Sequence, residues 1–579
     1  MKKRRLQSNR SMKVKLPVLR KNKRSVFGAA VGLNLLAMAV IVLVMRPSFE
    51  TNDDIVFAEF GSGLRGVKDA HLVFQNYILG LIYRFLYQVT GRLPWYTIFQ
   101  YAVLLAAFSA VAYVLINKME GWAGLWLSLV LLCCFGYEAC IHIQFTKTGG
   151  IAAAAAVFLL FYVILQEKFH IWEFLWGIGL GLLGFMYRED QFWASSALMA
   201  GIGIYFLLTL RKRFGNFAIR KIGVCAGVFA VLLIAAGTAG TVDSFMYRSG
   251  EWQEYQEFNS LRSQLLDYGF PDYDSTEIYQ ELGITREAYE LYRTWNFNDP
   301  DRFTSEVMEQ LVQEKSGYTI RPEQALNFTK RIPRDLSKLA PAYYCGAFLV
   351  YWLIFGKKTR AAVLSLLGET VLLWAVYFYL YCQGRYMVNR VDVGLWFSVC
   401  LVVLWLISDS ENRKPHMAVI AGRTAPVLFF AVLIASQLLW SRDWRINTSS
   451  IPEARVSQRA VLETIGTDKD HVYLAKSGMV SEIVCYGPFD RMPENLLDNI
   501  YWFGGWECRT PGIVDKMREH GIENPYRDMI NNESVYLIDD QIDLTMAYIH
   551  EYYDENAEAV FIKTLGNVDL YQIRSESRA

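Results

Sequence analysis

The sequence predicts an all-α polytopic membrane protein of about eleven transmembrane helices, with a small extracytoplasmic α+β domain at its C-terminal end. Three observations lead there. Apolar residues form 53% of the 579-residue chain, above the roughly 45–50% usual in soluble domains. They are gathered into blocks instead of being spread evenly. The formal charge of +1 conceals a segregation of basic residues into particular segments.

A bilayer core about 30 Å thick takes roughly 20 mostly apolar residues per helix. Blocks of that kind recur at 25–46, 95–117, 122–137, 149–166, 171–187, 191–210, 222–243, 342–355, 361–381, 391–408 and 424–440. Ahead of the first, residues 2–24 run from Lys2, Lys3, Arg4 and Arg5 to Lys23 and Arg24 without one acid. In isolation such a run reads as a solvated tail or a nucleic-acid arm. Directly before an apolar block it reads as a cytoplasmic anchor, with no nucleic-acid partner. A cleaved signal peptide does not fit. The apolar stretch is too long, and Arg46-Pro47-Ser48-Phe49-Glu50 offers no small-residue cleavage site.

Alternation from a cytoplasmic N-terminus places 118–121, 166–170, 211–221, 356–360 and 408–423 inside. Two of these loops are clearly basic, through Arg211-Lys212-Arg213 with Arg220-Lys221 and through Lys357-Lys358 with Arg360. The long segments assigned outside, 47–94, 244–341 and 441–579, are acidic or mixed, as translocated segments can be. A miscount by one helix would put the basic loops on opposite faces.

The resulting organisation is a basic cytoplasmic tail at 1–24, helices one to seven within 25–243, a helical extracytoplasmic loop at 244–341, helices eight to eleven within 342–440, and an extracytoplasmic α+β domain at 441–579. Within the loop, 287–295 and 303–314 have helical periodicity. In the last domain, strand-like runs at 472–475, 534–538, 559–563 and 568–573 alternate with helix-like ones at 513–520 and 544–553. Of nine cysteines, Cys133, Cys134, Cys225 and Cys400 lie in apolar blocks, where the side chain acts as a small hydrophobe. Cys485 and Cys508 share the C-terminal region, which allows one disulfide.

The chemistry-bearing stretch follows the first helix, as Thr51-Asn52-Asp53-Asp54-Ile55-Val56-Phe57-Ala58-Glu59. Two adjacent carboxylates leave the membrane and enter an apolar helical segment. Leu72–Val89 then reads as an interfacial helix. Thr-Asn-Asp is also a good helix-capping sequence, and acids there favour the N-terminus by a few tenths to about 1 kcal/mol, so a purely structural role stands beside a catalytic one. Further outer charges tilt the balance. Arg188-Glu189-Asp190 breaks the apolar run from Ile171 to Leu210, and Gln383-Gly384-Arg385, with Arg390 and Asp392, breaks a later one. Lys147 precedes the fourth helix, and His71 and His142 lie in outer loops. Such residues can snorkel to headgroups. Converging on one cavity mouth, they would instead suit an anionic lipid-linked substrate.

An acidic pair in the first outer loop after a cytoplasmic N-terminus resembles the GT-C class of polyprenyl-phosphate-sugar-dependent membrane glycosyltransferases. Asn52-Asp53-Asp54 stands where that class carries an Asp-Glu or Asp-Asp motif, and Asp69-Ala70-His71-Leu72, the interfacial helix and the outer C-terminal domain are similar in layout. The resemblance implies a polyprenyl-phosphate-linked sugar donor, a cell-envelope acceptor hydroxyl, and catalysis by Asp53 and Asp54, with the first acid matching the general base. Arg188, Arg385, Lys147, His71 and Arg390 would bind substrate, with Arg188 and Arg385 gripping the lipid phosphate. No cofactor is required, although the carboxylates leave room for a divalent metal. It implies a multi-pass cell-membrane protein with its C-terminal domain outside.

Two other readings use the same charges. A transporter or flippase of lipid-linked glycans also lines a membrane cavity, but is expected to show internal repeats and interrupted helices, and neither is evident in the sequence. A polymerase or ligase of such glycans needs outer arginines but not Asp53 and Asp54. The topology itself makes a prediction. Cysteines introduced near Gly250, Gly384 and Glu555 should react with a reagent applied from outside, and those near Gly215 or Lys358 should not. Outside labelling at Lys358 would break the eleven-helix assignment.

Overall fold

The computed structural model describes residues 22–45, 47–119, 122–248, 250–315, 322–409, 451–480 and 485–576, together with 424, 426, 427 and 431. The block at 424–440, most of the 408–423 loop and the basic residues 2–21 fall outside these.

The first helix, α1 (Lys23–Val44), leads into strand β1 (Ser48–Phe49), α2 (Asn52–Ser62), α3 (Tyr77–Val89) and α4 (Trp95–Lys118). A helix with a π-turn at Leu132–Gly136 follows, as α5 (Ala123–Leu131) and α6 (Tyr137–Ile141). Strand β2 (His142–Ile143) opens onto α7 (Phe145–Leu165), then α8 (Ile171–Tyr187), α9 (Glu189–Ala197), α10 (Ala200–Phe214) and α11 (Ala218–Met246). The helical loop holds α12 (Gly250–Leu266), α13 (Ile278–Glu281), α14 (Arg286–Arg293), α15 (Ser305–Glu314) and α16 (Pro322–Leu336). After it come α17 (Ala340–Phe355), α18 (Arg360–Cys382) and α19 (Asn389–Ser408).

Among the described residues seven helical stretches are long and apolar enough to cross a bilayer, or eight if α16 and α17, bent by 82°, count as one. One of the seven, Glu189–Met246, is continuous only in composition. It is broken at Leu198–Met199 and again at Gly215, whose φ of +51° ends α10. The first break falls inside the apolar block at 191–210, where one continuous helix was expected. There the freed backbone is satisfied by α18, where the Gly201 N–H donates to Glu369 Oε2 at 3.2 Å and the Ser365 hydroxyl donates to the Gly201 carbonyl at 2.6 Å.

Helix α7 is the axis of the bundle, with almost every side chain buried against α4, α8 and α19. Its composition explains why. Gly149, Gly150 and Ala152–Ala156 leave room for close backbone approach, the usual basis of helix association in lipid. A Cβ on Gly184 of α8 would come within 2.8 Å of the Ala153 nitrogen, and one on Gly150 within 3.0 Å of the Gly394 Cα in α19.

The C-terminal domain adds α20 (Ile451–Thr467), α21 (Pro511–Glu519), α22 (Pro525–Asp528) and α23 (Ile542–Tyr552) to five strands, β3 (Val472–Ala475), β4 (Ile500–Trp502), β5 (Val535–Ile538), β6 (Ala557–Leu565) and β7 (Val568–Ser575). The sheet order is β4-β3-β5-β7-β6, with β3 parallel to both β4 and β5, and β7 antiparallel to β5 and β6. The expected α+β pattern is therefore present, with β4 as an addition. Cys485 and Cys508 are both buried, and no disulfide joins them. The interfacial helix begins at Tyr77 instead of Leu72, because the Asn76 side chain caps it by accepting from the Ile78 N–H at 3.1 Å.

Candidate active site

The chain leaving α1 is tied down at once. Ser48 and Phe49 pair in parallel with His142 and Ile143, which fixes the first loop against the segment entering α7. Glu50 is thereby set beside Lys147, whose Nζ lies 2.5 Å from Glu50 Oε2 and 2.7 Å from Glu138 Oε1. Lys147 is fully buried, so its ammonium is committed to these two carboxylates and is not presented to a ligand. Asn389 joins the knot by donating to Glu138 Oε1 at 2.8 Å, which anchors the start of α19 one residue before Arg390.

Helix α2 is entered through Thr51, whose backbone is extended, and is closed by Gly63 with φ of +78°. Thr51 makes no side-chain cap; its hydroxyl donates instead to Asp54 Oδ2 at 3.1 Å. Consecutive helical side chains diverge by about 100°, so Asp53 and Asp54 cannot share one environment. Asp54 turns inward and is fully buried. Its Oδ1 accepts from the Tyr96 hydroxyl at 2.8 Å, the Phe145 N–H at 3.0 Å and Gln100 Nε2 at 3.4 Å. Burial pushes its carboxyl up to about 8, against the pull of the Tyr96 hydrogen bond.

Asp53 turns the other way and is half-buried. Trp506, from the C-terminal domain, donates its indole N–H to Asp53 Oδ1 at 3.1 Å. Burial raises the Asp53 carboxyl above its ordinary range, and Arg390 and then Arg188 oppose that rise through their charges. Asp53 forms no ion pair among the described residues, and neither does Arg390. Arg188 starts α9 and pairs at 3.3 Å with Asp190, which is largely exposed, while its guanidinium lies 5.5 Å from the Phe74 ring centre. Arg385 pairs with Asp267 at 3.1 Å and covers Tyr268 at 4.8 Å. Asp267 in turn acts on Asp53 through its charge, so Arg385 stands on the rim of the same cluster.

Asp53, Arg188 and Arg390 thus come together at one end of the bundle, with Arg385 behind Asp267. Asp54 and Lys147 belong to the framework beneath. His71 is placed in that framework too. Its Nδ1 is 2.7 Å from Asp69 Oδ1 and its ring stacks on Trp252 at 4.2 Å. Among the described residues no group of three or more His, Cys, Asp or Glu side chains is arranged to hold a metal ion.

Trp506 escaped the sequence reading. Its one local signal is the preceding glycine pair, needed because a Cβ on Gly504 would strike the Trp295 carbonyl and because Gly505 has φ of +99°. The neighbouring residues clamp the same interface. Arg65, just past α2, reaches Glu59 Oε2 at 2.7 Å and Glu507 Oε1 at 3.4 Å, and sits 4.2 Å from the centre of the Trp502 ring.

No protein-family model matches the chain, and no curated protein matches it. Among solved structures it is similar to ArnT from Cupriavidus metallidurans bound to undecaprenyl phosphate, at 11% identity and a TM-score of 0.39, over 94% of this chain and 98% of that one.

The two acids should respond differently to substitution. Asn at position 54 keeps an Oδ1 for Tyr96, Phe145 and Gln100 and offers Thr51 a donor, so Asp54→Asn should fold and express like the parent. Asp54→Leu strands those donors at about 1–3 kcal/mol each and should not. The folded carboxyl sits near pH 8, above the roughly 3.9 of an unfolded Asp. The stability it contributes is therefore complete below about pH 4 and is lost as pH rises towards 8. Thermal unfolding followed across that range should show a decline that Asp54→Asn flattens; parallel curves would contradict the buried acid.

Proposed function

We propose that this protein is a membrane glycosyltransferase that moves a sugar from a polyprenyl-phosphate donor to an acceptor hydroxyl on the outer face of the membrane. The observation that carries the reading is one carboxylate, Asp53, held by Trp506 and acted on by the charges of Arg390 and Arg188 without pairing to either.

The parts match the needs of the reaction. Asp53 takes the proton of the acceptor hydroxyl as that oxygen attacks the anomeric carbon. The bond from the anomeric carbon to the phosphate oxygen breaks, and its electron pair leaves on the phosphate. Arg390 and Arg188 meet that growing negative charge, an arrangement that acts more strongly in a site shielded from water. A base works best when its pKa approaches the working pH, and burial moves Asp53 in that direction. The apolar helices below would accommodate the polyprenyl chain. Asp54, Lys147 and His71 act through the framework.

Sugar transfer from a polyprenyl-phosphate donor, measured in membranes with expression checked alongside, tests this. Asp53→Asn keeps an acceptor for Trp506 but removes the base, so turnover should fall by about 10²–10⁴-fold. Arg390→Lys should also slow transfer, because Lys cannot grip phosphate with a planar fork. Full activity in Asp53→Asn would falsify the assignment and leave the polymerase reading ahead. Trp506→Phe supplies a second handle. The indole N–H favours the charged carboxylate, so losing it should move the acid limb of the kcat/KM profile upward by about one pH unit. An unmoved limb would separate Trp506 from the base.

A further inference from the structure

A second recess lies beyond the Trp506 wall. It is a cleft of about 560 Å³ between α12, the loop that follows Asn298, and the C-terminal domain around α21 and α22. That volume falls within the roughly 300–1,000 Å³ of ordinary ligand sites. Tyr255 lines it and donates its hydroxyl to the Trp506 carbonyl at 2.8 Å, so one wall serves both the cleft and Asp53. Arg509 also lines the cleft, three residues along the chain from Trp506. Three residues span at most about 11 Å, which sets the two sites side by side.

The chemistry of the lining restricts the ligand. Four carboxylates (Glu251, Glu254, Asp301, Glu523) face three guanidiniums (Arg509, Arg518, Arg527). An apolar chain would strand these charges, and a polyanion would meet more acid than base. Arg527 is held by Asp301, Asp528 and Glu523, and Arg518 by Asp515, so the cationic side is largely satisfied. Glu251 and Glu254 are exposed and make no ion pair among the described residues. In the floor, Asn298 is 3% exposed. Its Oδ1 accepts from Arg509 at 3.3 Å, while its Nδ2 has no hydrogen-bond partner among the described residues. Arg509 is itself pinned by the Phe303 and Phe297 carbonyls, at 2.9 and 2.8 Å. The cleft therefore offers unpaired carboxylates and an unused amide donor in a nearly charge-balanced setting. A polyhydroxylated chain satisfies that mixture, because each hydroxyl both donates and accepts.

We infer that this cleft binds a near-neutral oligosaccharide, the distal portion of the glycan acceptor whose terminal hydroxyl is presented to Asp53. The inference rests on the transferase reading for the acceptor role, and on the cleft alone for glycan binding. Hydroxyls of successive sugars would donate to Glu251 and Glu254, with the floor amide beneath. A basic peptide would compete for the same acids, but its cations would also meet Arg509, Arg518 and Arg527.

The test uses the full-length protein in nanodiscs and short oligosaccharides released from the host's own envelope polysaccharide, with binding read by saturation-transfer NMR. The parent and Asp53→Asn should both bind the fragments. The double variant Glu251→Ala/Glu254→Ala, on exposed positions that leave the fold intact, should bind about tenfold more weakly or worse. In the transfer assay the same variant should raise the acceptor KM while kcat holds. Equal binding by parent and double variant, no binding by the parent, or binding of a Lys-rich peptide in place of the fragments would each overturn the proposal. Unimpaired transfer by Asp53→Asn together with lost fragment binding in the double variant would remove the transferase reading and keep the cleft.

Discussion

Arg65 is 4% exposed and lies between Glu59 of α2, Glu507 of the C-terminal domain and the face of Trp502. A guanidinium so far from water is tolerated only when carboxylates surround it, and breaking such a pair by removing one partner typically costs about 3–5 kcal/mol. The cost acts on position as much as on stability. Glu507 adjoins Trp506, so the pair that seats the domain on α2 also sets the indole against Asp53. The Asn495 and Leu497 N–H groups, which donate to the Gly63 and Leu64 carbonyls at 2.8 Å each, fix the same docking from the backbone. A soluble domain on a membrane bundle could pivot freely. Here its register against the first loop is fixed within the reach of a hydrogen bond.

The bundle beneath solves a related problem. A carboxylate deep in a span costs about 2.5–3.5 kcal/mol on insertion scales and needs a reason to be there. Glu369 has one. It meets the N–H that the break before α10 leaves exposed, and Ser365 meets the carbonyl of the same glycine. Asp392 receives the Tyr377 hydroxyl at 2.6 Å, and Tyr377 receives the Trp396 indole N–H at 2.8 Å. These acids serve helix-to-helix contacts. The interrupted helix that would have suited a transporter is closed by side chains of its own bundle.

What could be read from the sequence follows the range of the forces involved. Membrane insertion depends on runs of about twenty residues, so most apolar blocks announced helices, although 191–210 is split between α9 and α10 and 424–440 lies outside the described residues. The strands β3 and β5 to β7 were legible because four or more residues alternate or run apolar together, whereas β4, three residues long, carried no pattern. Arg188 and Arg385 stood out because a cation at a helix end is unusual on the face assigned to them, whereas Arg390, whose charge acts more strongly on Asp53, was named only beside Arg385. Lys147 looked equivalent in sequence, and only the fold brings Glu50 and Glu138 to it. Trp506 lies 453 positions from Asp53, and no local pattern encodes a contact over that separation.

The resemblance pointed to the first acid, Asp53, but the sealed place of Asp54 was illegible. Two neighbouring acids that both ionised would repel, and each would weaken the other's hold on a cation. The fold avoids this by giving them different solvents. Asp54 is sealed among Tyr96, Gln100 and the Phe145 backbone, and near pH 7 it is predominantly neutral, since its carboxyl is pushed up to about 8. Asp53 alone is then left to carry charge toward Arg390 and Arg188. Pairs of titratable groups whose surroundings push them apart are a recurrent way of assigning separate acid and base duties. In this chain the separation comes from a helical rotation of about 100° between adjacent residues, so a one-residue shift in the start of α2 would carry one acid into the other's place and leave the second acid in neither. That is why the start of α2 is pinned so heavily. The β1–β2 pairing, the Lys147 knot and the Thr51 hydroxyl all act within a few residues of it, and together they decide which acid faces the arginines.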